Sequence, residues 1–154
     1  MRADCIIGHD FEGGHNGHDA VSFCTSHATE ALRTPFYVFP SYYNCPEQRV
    51  WNAFLPGRRA SDTLTLSPKE KRLKNEVMQA HKTQQAFFMM VKHSAAKEYI
   101  FEREILRHVT KPMDYTAPPA SPVGYEFPGS PARFEDFKAA IAPLLTQPLS
   151  ATKV

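Results

Sequence analysis

Residues 4–24 read DCIIGHDFEGGHNGHDAVSFC, and the order of residue types in this stretch sets the fold class. The run 4–8 is short, apolar and ended by Gly8, which predicts a buried strand. Residues 9–17, HDFEGGHNG, predict a loop, because paired glycines give backbone freedom and Asn16-Gly17 is a turn signal. From about His18 the period becomes helical, with Val21, Cys24, Ala28 and Leu32 on one stripe and Cys24 expected in the core. Thr34-Pro35 ends that helix.

Further along, residues 35–39 (PFYVF) and 49–55 (RVWNAFL) are rich in aromatic and β-branched side chains and predict strands, with 63–66 (TLTL) a shorter one. Ser67-Pro68-Lys69-Glu70 opens a second helix: Ser67 caps, Pro68 suits the first turn and Glu70 completes a capping box. Leu73, Val77, Ala80, Gln84, Phe87 and Val91 carry its stripe, and Phe87-Phe88-Met89-Met90 reads as core packing. A third helix is expected over roughly 96–108, from Ile100, Ile105 and Leu106 set among charges. Prolines from Pro112 to Pro131 predict a stiff, extended wrap or linker, and Phe134, Phe137, Ile141 and Leu144 a last amphipathic helix near 133–145.

The fold class is therefore α/β. In an open α/β sheet, ligands bind at loops beyond the carboxyl ends of strands, where the 9–17 loop lies. The sequence enters an apolar strand almost at once, so any earlier strands of the sheet are expected outside these 154 residues. A strand left uncovered in that way predicts self-association or pairing with a separate N-terminal half.

Bulk properties narrow the function class. A net charge of +2 with dispersed Lys and Arg gives no footprint for nucleic acid. Cys5, Cys24 and Cys45 are odd in number and form no C-x-x-C pair, which favours a reducing, cytoplasmic setting over a disulfide framework. Asp4, His9, Asp10 and Glu12 stand where a signal peptide needs an apolar core, and the longest apolar run, 86–91, is far short of a membrane span of about 20 residues.

The loop itself packs His9, Asp10, Glu12, His15, His18 and Asp19 into residues 8–20. Catalytic zinc takes about three protein ligands from nitrogen and oxygen donors, leaving a position for water whose pKa it lowers to about 7. With His18 opening the helix and His15 in the preceding loop, both can face one cleft without sharing a helical face, which would let one bind metal while the other acts on substrate. The plain alternative is a polar loop whose histidines hydrogen-bond locally. His27 lies on the opposite helical face and reads as a surface residue, whereas His81 and Gln84 share a face of the second helix, read first as structural and otherwise as an approach to the site. His93 and His108 read as helix-end residues, and no serine has a G-x-S-x-G setting.

EGGH-x-x-HDA, residues 12–20, resembles the second signature, EGGHPDHDA, of the PIG-L/LmbE family of zinc-dependent N-acetylglucosaminyl deacetylases. The likeness continues through Lys74, Ala80, His81 and Gln84, then Glu102-Arg103, and then Met113-Asp114-Tyr115-Thr116, Pro118-Pro119 and Tyr125-Glu126. It implies the C-terminal part of a Rossmann-like, LmbE-type domain, with residues 1–111 a partial α/β domain and 112–154 an extension and helix packed on it. It further implies zinc as cofactor, His18 as a metal ligand, and His15 as the acid or electrostatic stabiliser of a tetrahedral intermediate, with Asp10, Glu12, Asp19, His81 and Gln84 as possible support. The implied reaction is zinc-dependent hydrolysis of an N-acetyl group on an amino sugar or glycoconjugate.

Two departures matter. The family's other ligands and its aspartate base sit in an HPDDE-like motif that this sequence lacks, so the chain alone is expected to be inactive. Asn16-Gly17 replaces the Pro-Asp between the two histidines, and loss of such a carboxylate typically costs 10–100-fold, unless Asp10 or Asp19 stands in. That replacement keeps open a non-catalytic relict serving as a binding or interaction module. An unrelated metal- or ligand-binding α/β protein is the third reading.

Overall fold

The computed structural model describes residues 3–92, 100–119 and 122–146. Within these, strands β1 (Ile6–His9), β2 (Phe36–Phe39), β5 (Asp62–Thr65) and β6 (Arg103–His108) form one sheet in the order β1-β2-β6-β5. β1 and β2 are parallel and joined through helix α1 (Asn16–Leu32), with Gly8 opposite Val38. β6 runs antiparallel to both β2 and β5, so the sheet is mixed. β3 (Tyr42–Asn44) and β4 (Arg49–Trp51) make a separate hairpin, closed by reciprocal backbone bonds between Cys45 and Gln48. Helices α2 (Pro68–Ala80), α3 (Gln85–Lys92) and α4 (Phe134–Leu145) complete the described chain. None of these helices is long and apolar enough to cross a membrane.

The expected strand–loop–helix opening and the α/β class are present. So is the Ser67 cap, whose hydroxyl accepts from the Glu70 amide while Glu70 reaches back to the Ser67 amide. The last helix spans nearly its expected range. The strand expected over 49–55 stops at Trp51, because Asn52 adopts a left-handed φ of 45°.

Three expectations fail. The helix expected over roughly 96–108 is present at Ile100 and Phe101, with 96–99 outside the described residues, but 103–108 are a strand: Arg103, Ile105 and Arg107 alternate with Glu104, Leu106 and His108, and β2 and β5 satisfy the backbone on both sides. His108 accordingly stacks on Tyr37, with ring centroids 4.8 Å apart, instead of ending a helix; His93 lies outside the described residues. The second helix breaks at His81 (φ −79°, ψ 74°) and restarts through a 3₁₀ turn, Lys82–Gln84. α2 buries no side chain, with Leu73 and Val77 more than half exposed, whereas α3 carries the buried Val91, so the two segments answer to different surroundings. His81 and Gln84 therefore do not share a helical face.

The α1 stripe is inverted as well. Val21, Cys24 and Leu32 are exposed, while Asp19, Ser22, Phe23, Ser26 and Thr29 are buried. The buried polar groups are satisfied: the Ser22 hydroxyl meets that of Tyr115 at 3.1 Å, and the Thr29 hydroxyl donates to the Ser26 carbonyl at 2.7 Å. Small side chains on this face let the described parts of the proline-rich segment, 112–119 and 122–131, lie close against the helix. That segment supplies Tyr115, Val123 and Tyr125 to the main core cluster, with Phe11, Phe23, Phe134 and Ile141. It is a structural strap, packed in the same core as α1 and α4.

Candidate functional site: a histidine cluster at the end of the first strand

The 9–17 loop leaves the carboxyl end of β1 and is fixed by three buried carboxyl groups. Asp10, fully buried, accepts from Arg58 at 2.8 Å and from Arg107 at 2.7 Å. Asp19, in the first turn of α1, accepts from the Glu12 and Gly13 amides at 3.3 and 3.0 Å and from the Tyr125 hydroxyl at 3.2 Å. Glu12, 1% exposed, accepts from the amides of Ser41 and Tyr42 at 2.9 and 3.0 Å, tying the loop to the β2–β3 junction. The second glycine is steric in origin: a Cβ on Gly14 would collide with the Tyr42 carbonyl. Gly13 adopts φ 71° and accepts from the Gly124 amide at 2.6 Å, so the strap seals the loop from behind.

This scaffold presents three imidazoles. His15 caps α1 and is exposed, its Nδ1 accepting from the Gly17 amide at 3.0 Å. His18, one turn on, is half-buried and lies 5.0 Å from His15 between ring centroids. His9, the last residue of β1, stacks on His18 at 4.0 Å with the planes 7° apart, and its Nδ1 contacts the Ser41 hydroxyl at 3.1 Å. Sequence reasoning overlooked His9 as a partner of His18; its place at a strand's carboxyl end was the available signal.

Electrostatics favour the neutral form of two of these rings, His18 and His9. Burial, then the neighbouring His9 and His15, pushes the His18 pKa down to about 4, and burial with His15 lowers that of His9. Burial pushes Glu12 up to about 8, outweighing the hydrogen bonds from Tyr42 and Ser41. Asp19 is raised to about 6, again by burial. At neutral pH, His18 thus offers an unprotonated nitrogen, the form that binds metals. Its buried Nδ1 has no hydrogen-bond partner and lies 4.0 Å from Glu12 Oε1.

The donor set does not amount to a catalytic zinc site. No group of three His, Cys, Asp or Glu side chains among the described residues converges as a metal ion requires. The stacked His9 and His18 rings direct their in-plane lone pairs side by side rather than toward a common point. Asp10 and Asp19, the candidates to replace the missing carboxylate, are engaged by two arginines and by the loop amides; the carboxylate nearest His18 is Glu12.

His15 and His18 open onto a cavity of about 780 Å³, which Gln84 also lines. His81 does not reach it and ends α2, exposed. His27 is partly buried, stacked on Phe23 at 5.5 Å, rather than a free surface residue. The rest of the cavity wall, including Tyr42, Trp51, Phe87 and Phe88, was not singled out from the sequence as part of a site. No family model, curated protein or solved structure matches the chain.

Proposed function

We propose that this chain forms the C-terminal part of a PIG-L/LmbE-type deacetylase site, in a Rossmann-like sheet completed by polypeptide outside these residues. The reaction would be zinc-dependent hydrolysis of an N-acetyl group on an amino sugar or glycoconjugate. The observation that carries this reading is the joint placement of His15 and His18 on one cavity, from a loop–helix junction at the carboxyl end of β1. His18 is the residue to hold metal, because burial keeps its imidazole neutral. His15, exposed at the cavity mouth with one nitrogen fixed by the Gly17 amide, is the residue to donate to a developing oxyanion from the other.

The remaining ligands and the aspartate base belong to a partner segment or a longer polypeptide. Its approach on the β1 side is supported by the edge position of β1 among the described strands and by exposed Ile7, Val21 and Leu32. The test is to express the chain with its upstream coding region. Acetate release from an N-acetylglucosamine glycoside should appear, and His18→Ala and His15→Ala should each abolish it. An upstream region without an HPDDE-type motif, or an extended protein without activity, sinks the reading.

The engagement of Asp10 and Asp19 away from the histidines favours a second reading, a non-catalytic relict that keeps the cavity for binding. Ligand binding by the extended protein without turnover would select it.

A further inference from the structure

The cavity is mixed in chemistry. His15 and His18 line it together with the aromatic Trp51, Phe87 and Phe88, and Asn52, Lys74 and Glu104 add polar groups to the same wall. The rings run as a continuous series away from the histidines. Tyr42 meets His18 edge-on at 5.7 Å, Trp51 meets Tyr42 at 4.9 Å, Phe87 meets Trp51 at 5.3 Å, and Phe88 meets Phe87 at 5.6 Å. The Arg49 guanidinium, with its Nε donating to Asn44 at 3.1 Å, sits over both Tyr42 and Trp51 and holds that pair in place. The break at His81 redirects the chain into α3, whose Phe87 and Phe88 form the far part of the wall.

An aromatic series of this kind has little to offer an acetyl group, and a volume near 780 Å³ is that of a site for a drug-sized ligand. We propose that the cavity binds a glycoside through a flat apolar aglycone laid against Trp51 and Phe87, with the sugar ring toward His15 and His18. That the ligand is a glycoside, and its sugar an N-acetyl amino sugar, rests on the deacetylase reading above; the aromatic platform for a flat apolar group does not. Aromatic faces favour a flat partner in offset or edge contact, and binding the arm removes apolar surface from water on both sides.

Trp51 is the sole tryptophan, so its emission reports directly on occupancy of the wall, without any turnover. The probes are phenyl 2-acetamido-2-deoxy-β-D-glucopyranoside, free N-acetylglucosamine and phenyl β-D-glucopyranoside. They are titrated into the 154-residue chain by fluorescence and calorimetry. The phenyl amino-sugar glycoside should bind at least about tenfold more tightly than the free sugar and shift Trp51 emission. Phe87→Ala should remove that advantage, while Trp51→Phe, read by calorimetry, should retain most of it. Equal affinity for the free sugar and the phenyl glycoside overturns the proposal, as does an unaltered preference in a folded Phe87→Ala protein. Equal binding of the two phenyl glycosides supports the platform while counting against an amino sugar, so the two ideas fail separately.

Discussion

Asp10 provides the sharpest test of what holds the histidine loop. Its carboxylate is fully buried and bridges Arg58, from the segment before β5, to Arg107 in β6, 97 positions away in sequence. The two guanidinium side chains are only 27% and 18% exposed. Asp10→Ala would leave them facing each other with their shared counter-charge gone and little water to replace it. Removing one member of a buried ion pair costs about 3–5 kcal/mol. For a domain of this size that is a fall in Tm of about 6–20 °C. Thermal unfolding by circular dichroism and urea unfolding at pH 7 both measure it. Because the charges are shielded from solvent, the loss should be nearly the same at low and high salt. A cost below about 1 kcal/mol, or one that disappears in high salt, would refute the buried bridge as the element that fixes the loop.

Other perturbations follow from the same geometry. In zinc-free protein, Glu12 is protonated in the folded state up to about pH 8 but ionises near 4.5 when unfolded, so its contribution to stability is present at low pH and lost as pH rises through that window. The stability gap between Glu12→Gln and the parent should therefore widen in the variant's favour from pH 5 to pH 8, and a gap constant with pH would contradict this. Tyr125→Phe removes the hydroxyl donor to buried Asp19 and should cost about 1–3 kcal/mol in urea unfolding, against none if the bond is incidental. Ser67→Ala deletes one half of a capping box on a helix that buries nothing, for a loss of about 1 kcal/mol seen as faster amide exchange confined to the start of α2. Gly14→Ala forces a Cβ into the Tyr42 carbonyl and should prevent the loop from closing, read as loss of cooperative unfolding.

Much of the site's framework could be read from the sequence, and the physical reasons for success and failure differ by element. The β1–loop–α1 unit was legible because its signals are local: an apolar run, paired glycines and a helical period. The Ser67 cap was legible for the same reason, being a contact between residues three apart. β6 was hidden because its charged side chains find distant partners, Lys71 on Glu102 at its threshold, Lys74 on Glu104 and Asp10 on Arg107, so an interior strand looks like a polar helix. The α1 face was misassigned because its buried polar groups are satisfied by bonds that hydropathy does not register, Ser22 to Tyr115 93 positions away and Thr29 to the Ser26 carbonyl within the helix. Hydrophobic patterning has no access to such pairings. The aromatic wall likewise joins β3, β4 and α3, elements whose meeting depends on the break at His81.

The affinity of the 154-residue chain for zinc bears most directly on the reading that His18 is one ligand of a site completed elsewhere. Calorimetric titration of chelator-treated protein should find weak binding, weakened further in His18→Ala, and no acetate release at saturating metal. Tight one-to-one zinc binding together with deacetylation by this chain alone would contradict it.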